Sequence, residues 1–218
     1  MIANVNGTAL FYQKTGSGKP LVLLHGNGED HRIFDKLAPR LAAHFTVYAI
    51  DSRNHGQSQR TDDYSYRAMS EDVHDFIGTL GLGPVGLVGF SDGAIVGLTL
   101  AMNHGEAVER MALLGVNLKP EDFTEESYRY VEETYAETKD PLFKLMLEEP
   151  QIELDDVRDV DVPVLLVAAE HDLYKPDLYT NLVNALPHAK LKIMTGHDHG
   201  SYIIDQDILY PDLVDFFK

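Results

Sequence analysis

Gly89, Phe90, Ser91, Asp92 and Gly93 spell G-x-S-x-G. They close the apolar run Val85 to Phe90 and open a helical stretch that reaches about His104. The pattern therefore predicts a serine at a tight strand-to-helix turn, its hydroxyl projecting above a sheet. The bland alternative is a serine that merely caps the helix. A serine hydroxyl is a weak nucleophile unless a base takes its proton, and the base needs an orienting carboxylate. In an α/β sheet such partners belong on loops at the carboxyl ends of later strands, where crevices open. Two loops carry the right residue types. After Val164 to Ala169 come Glu170, His171 and Asp172, and after Leu191 to Met194 come Thr195, Gly196, His197, Asp198, His199 and Gly200. The chain order is then Ser, Asp, His. Asp172 is the expected acid, with Glu170 its competitor and a plain loop turn the simpler reading; the base is open between His197 and His199.

The elements that must position these residues follow from hydrophobic periodicity. Thr8 to Lys14 reads as a strand closed by Gly16, Ser17 and Gly18, and Leu21 to Leu24 as a continuous apolar run suited to burial on both faces. His31 to Ala43 carries Ile33, Phe34, Leu37 and Leu41 at helical spacing, Phe45 to Ile50 is apolar again, and Tyr66 to Leu80 places Met69, Val73, Phe76, Ile77 and Leu80 on one face. The alternation continues through Val85 to Phe90, a helix, Arg110 to Leu114, Val164 to Ala169, a helix from about Asp177 to Leu186, Leu191 to Met194, and a closing helix near Phe217. This is the pattern of an α/β fold, a mostly parallel sheet with helices on both faces.

Residues 117–160 interrupt it with 14 acidic against 5 basic residues. Tyr128, Val131 and Tyr135 fall on one helical face, and Asp140 with Pro141 reads as an N-cap and first-turn pair opening a second helix. The expectation is a small acidic helical cap inserted into a single domain of residues 1–218, its apolar stripe lining or covering an acyl pocket. A solvated connector is the alternative.

The chain has 218 residues, a formal charge of −17 and no cysteine. Such a charge repels phosphate backbones, and no Lys/Arg run offsets it, so nucleic acid is not expected as a partner. The absence of cysteine excludes disulfides and thiol catalysis, leaving oxygen as the nucleophile. With no basic, apolar leader at Met1 to Leu10 and no apolar run near 20 residues, a cytoplasmic protein without membrane contact is expected. Gly81, Gly83 and Gly86 match a dinucleotide fingerprint, but they precede a strand where phosphate binding needs them to follow one. Gly16 to Lys19 resembles a P-loop tail, yet Pro20 and a following strand make it a turn. His197, Asp198 and His199 are of metal-ligating types, but no further ligand set at a fitting spacing accompanies them, so neither metal nor cofactor is expected.

Taken together, His25–Gly26–Asn27–Gly28, Asp51 with Arg53, Gly56 and Ser58, the turn at Ser91, Glu170–His171–Asp172, and His199–Gly200–Ser201–Tyr202 resemble the α/β-hydrolase fold family, specifically its compact serine hydrolases and carboxylesterases. The resemblance runs from Leu21 nearly to the end. It implies His199 rather than His197 as base, and an oxyanion hole made by the backbone N–H groups of Asn27 and Asp92, with His25 bracing its loop. Where many relatives have Arg-Gly, this chain has Arg53–Asn54, and asparagine is the side chain that best tolerates a left-handed turn. The cap is shorter than usual. The implied activity is cleavage of a small-molecule carboxylic ester through an acyl-enzyme, by a monomer or homodimer. An aminopeptidase or amidase of the same fold, and a non-catalytic binder of small ligands, are the alternatives.

Overall fold

The computed structural model describes residues 1–218. Eight strands form one sheet: β1 (Ile2–Val5), β2 (Thr8–Gly16), β3 (Lys19–Leu24), β4 (Phe45–Ile50), β5 (Val85–Phe90), β6 (Val108–Leu114), β7 (Val164–His171) and β8 (Ala189–Asp198). Their order across the sheet is β1-β2-β4-β3-β5-β6-β7-β8; β2 runs antiparallel to both its neighbours, β1 and β4, and every pair from β4 across to β8 is parallel. Four longer helices, α2 (Tyr66–Thr79), α3 (Asp92–Asn103), α4 (Glu125–Thr138) and α6 (Pro176–Ala185), lie between the strands, with the shorter α1 (Leu37–Leu41) and α5 (Pro141–Glu148) and a closing α7 (Tyr210–Phe217) completing the set.

The continuous apolar runs are explained by burial on two faces. Val22 and Leu24 of β3 face one core cluster with Phe76 of α2 and Leu98 of α3, while Leu21 and Leu23 face the other with Leu41 of α1 and Phe217 of α7. The chain leaves β3 toward β4 on one side and leaves β5 toward β6 on the other. Connections that diverge in this way open a crevice beyond the carboxyl ends of β3 and β5. Asn27 follows β3 and Ser91 follows β5, so the crevice lies between them.

Two readings of the sequence are corrected. The helix expected over His31 to Ala43 is broken into a 3-10 turn, His31–Phe34, and α1. The cause is Pro39: its ring is tolerated only in a first turn, so the α-helix starts just before it at Leu37. The strand β1 was not expected, yet it pairs with β2 across Asn6 and Gly7, both with positive φ (43° and 73°), the Asn-Gly signature of a two-residue hairpin. No helix is long and apolar enough to cross a membrane.

Candidate active site

The G-x-S-x-G glycines are required by contact. A side chain on Gly89 would meet the Gly93 carbonyl, and one on Gly93 would meet the carbonyl of Leu24 at the end of β3. The turn between them is tight enough to hold Ser91 at φ 52° and ψ −117°, a conformation few non-glycine residues adopt. Ser91 does not cap α3 with its side chain, and it is only 7% exposed.

The structure brings Ser91, His199 and Asp172 together. His199 Nε2 lies 3.0 Å from Ser91 Oγ, and His199 Nδ1 lies 2.6 Å from Asp172 Oδ1. Burial pushes the Asp172 carboxyl up, but the His199 ring, the Ala169 N–H and the Tyr179 hydroxyl outweigh it and hold the group below the usual carboxylate range. An anion so held favours Nδ1 as the protonated nitrogen, leaving Nε2 as acceptor toward Ser91. The His199 ring is fixed by Phe90, at 5.0 Å between centroids, and by Tyr174, edge-on at 5.5 Å.

The competing residues lie elsewhere. Glu170 accepts the Gly196 N–H at 2.7 Å, bracing β7 to β8, and His197 Nδ1 meets Ser201 Oγ at 3.1 Å. Because β8 extends to Asp198, His197 belongs to the strand and His199 is the first residue beyond it. The two imidazoles therefore do not converge, and both ring nitrogens of His199 are engaged.

Asn27 and Asp92 flank the nucleophile and bond each other: Asn27 Nδ2 donates to Asp92 Oδ2 at 3.0 Å and to the Leu142 carbonyl of α5 at 3.2 Å. The Asn27 N–H has no partner in the chain, and the Asp92 N–H, first of α3, has none within its helix. Both are free to receive a developing oxyanion. The Tyr66 hydroxyl donates to Asp92 Oδ1 at 2.9 Å; burial nevertheless leaves the Asp92 carboxyl raised, since this bond and that from Asn27 only partly offset it. Tyr66 carried no functional signal in the sequence beyond its place on an apolar helix face.

His25 accepts the Ser52 N–H at Nε2 (3.0 Å) and meets the Gly26 carbonyl at Nδ1 (2.8 Å), joining the β3 and β4 loops. Burial, with nearby His55, lowers it to about 4, so it is a neutral brace. Asn54 takes φ 67°, keeping the turn where glycine is common.

Helices α4 and α5 occupy residues 117–160, and Asp140 caps α5 by accepting the Leu142 N–H at 2.9 Å. Of the stripe Tyr128, Val131 and Tyr135, Val131 is buried, Tyr128 is 37% exposed and Tyr135 is half-buried. Residues 117–160 meet the Asn27 loop through the first turn of α5, at the Leu142 carbonyl. Two other clusters carry metal-ligating types. Glu71, His74 and His104 hold ligand atoms within 4.8 Å of one another, but the two imidazoles stack at 3.8 Å and 12°, so their lone pairs do not converge. Asp30, His31 and Asp51 are committed to Arg32, to Gln13 and to backbone N–H groups.

Comparison with known proteins bears on the fold. A family model described as alpha/beta hydrolase fold matches residues 19–149. A soluble epoxide hydrolase of Corynebacterium sp. (strain C12) is 36% identical over 113 residues, which is 51% of this chain and 40% of that protein. The chain thus aligns with less than half the length of that curated relative. Among solved structures, a meta-cleavage product hydrolase from Pseudomonas fluorescens IP01 superposes with a TM-score of 0.83 at 19% identity, covering 100% of this chain and 97% of that one. An enol-lactonase from Burkholderia xenovorans LB400 superposes with a TM-score of 0.83 at 23% identity, covering 99% of each. At such identities the likeness is one of fold.

Proposed function

The chain belongs to the alpha/beta hydrolase fold family, and on that footing we propose that it is a serine hydrolase cleaving a small carboxylic ester through an acyl-enzyme. The observation that carries the reading is the continuous chain of contacts from Ser91 Oγ to His199 to Asp172, at 3.0 and 2.6 Å. Ser91 Oγ attacks the acyl carbon while His199 Nε2 takes its proton, and Asp172 stabilises the imidazolium that results. The oxyanion is received by the N–H groups of Asn27 and Asp92; in a site closed to water each such donor is worth roughly 3 kcal/mol. His199 then protonates the departing alcohol, and water, activated by the same ring, releases the acid.

The serine supports acyl chemistry over ring opening at a saturated carbon. Attack on an epoxide carbon would leave a serine ether, which water does not cleave readily, whereas attack on a carbonyl leaves an ester that the same histidine can hydrolyse. Residues 117–160 serve in this reading as a lid whose α5 contacts the oxyanion loop through Leu142.

The test is a panel of p-nitrophenyl esters of increasing acyl length, run beside aminoacyl anilides, with wild type and Ser91→Ala. Ester turnover by wild type that falls by about 10³ or more in the variant, with the fold retained, is expected. Turnover unchanged by the substitution would contradict the reading.

A further inference from the structure

One group at the site has no part in this mechanism. Glu29 lies on the loop after β3, and its Oε2 accepts the Gly26 N–H at 2.9 Å. A methyl group built on Gly26 would lie 2.8 Å from that oxygen and 3.1 Å from Ser91 Cβ, so the carboxyl and the nucleophile flank the same spot. The other carboxyl oxygen is bonded to nothing in the chain, and Glu29 forms no ion pair. The charged and titratable groups that face it are His199 from beyond β8, Asp92 from α3 and Asp30 from its own loop; Arg32, the near cation in sequence, is held by Asp30 at 2.6 Å.

A half-buried carboxyl beside a nucleophile, near a second, buried carboxyl and one imidazole but paired with no Lys or Arg, can receive a cation brought by something else. We propose that Glu29 recognises an ammonium group on the acyl part of the substrate, close to the scissile carbonyl, which makes aminoacyl esters and their kin the favoured substrate class. The inference rests on the hydrolase reading of Ser91 and refines it. Burial pushes the Glu29 carboxyl up to about 7. The uncompensated acid is thus poised to ionise when a cation arrives, and the preference should strengthen as pH rises through that value.

The test compares kcat/KM for p-nitrophenyl 3-aminopropanoate and p-nitrophenyl butanoate, which match in length and differ in charge, in wild type and Glu29→Gln. Wild type should favour the amino ester by about tenfold or more, more strongly at pH 8 than at pH 6, and the variant should lose most of that ratio. Inhibition by butylammonium, read with the neutral ester, should weaken in parallel. A ratio unchanged by Glu29→Gln, whatever the absolute rates, would leave Glu29 only a brace for Gly26 and overturn the inference. If wild type cleaves neither ester, it is the hydrolase reading that fails. Calorimetric titration of wild type and Glu29→Gln with butylammonium then decides the ammonium site alone, equal affinity contradicting it.

Discussion

The imidazole of His199 packs against the α-carbon of Gly115: a methyl group there would come within 2.6 Å of Cε1 and 2.9 Å of Nδ1. Gly115 follows β6, holds φ at 62° and donates its N–H to the Val167 carbonyl at 2.9 Å, so the backbone cannot yield easily. Gly115→Ala should therefore push the ring off its line to Ser91. Ester kcat should fall by about 10² while the far-UV circular dichroism stays that of wild type, because a small displacement of a reacting group is costly and the sheet is untouched.

Asp172→Asn should lower kcat by about 10³ to 10⁴, since an amide can present its donor to Nδ1 and stabilise the wrong tautomer. Combined with His199→Ala, it should cost scarcely more than His199→Ala alone, because the two act as one unit. Steady-state kinetics of the two single variants and the double variant check this; losses that multiply would mean that the residues act independently.

Much of this site was legible along the chain because its parts are local. The run Val85 to Phe90, the glycines around Ser91 and the helix after it form one stretch, and Asp172 and His199 each follow their own strand. The contacts of Gly115 and Tyr66 are with residues far away in sequence, and only the sheet order brings them to His199 and Asp92; Glu29 bonds its own loop, and its place beside Ser91 is set by the packing of that loop against the turn after β5. No periodicity marks such residues. The break at Pro39 and the hairpin at Asn6 and Gly7 are different, since both signals were local and were outweighed by the apolar spacing around Pro39 and by the shortness of β1.

Glu29 also couples the site to stability. Its folded-state value is raised from 4.5 to about 7, so the folded chain binds the proton more tightly than the unfolded chain between those values, and stability falls as pH rises through the window. Glu29→Gln keeps the acceptor for the Gly26 N–H and removes the ionisation. It should stabilise the protein at pH 8 by roughly 2 kcal/mol and have little effect near pH 4, as read by thermal melts at both. His25 has the opposite dependence. Its value is lowered from 6.5 to about 4, so the unfolded chain binds the proton more tightly and stability is lost as pH falls from 6.5 toward 4.

Asn27→Ala removes the amide that joins Asp92 to the Leu142 carbonyl of α5. The buried carboxylate loses a donor, which should cost about 1–3 kcal/mol of stability, and the oxyanion loop loses its tie to the cap. Ester kcat should fall about tenfold with the backbone N–H still present. Loss of stability with unchanged kcat would show that the side chain has no bearing on the loop's geometry.

The acidic residues of 117–160 should favour cationic over anionic esters at long range, an effect that added salt screens. For a neutral ester paired with a carboxylate-bearing one of equal length, the kcat/KM ratio should exceed one at low ionic strength and fall toward one at high. A ratio near one at both would leave those acids as a solvated surface.

The most direct measurement is intact-protein mass spectrometry after exposure to a fluorophosphonate, with peptide mapping. The account predicts one adduct per chain, located at Ser91, formed in step with loss of esterase turnover and absent from Ser91→Ala. An unlabelled Ser91, or turnover that survives in Ser91→Ala, would contradict it.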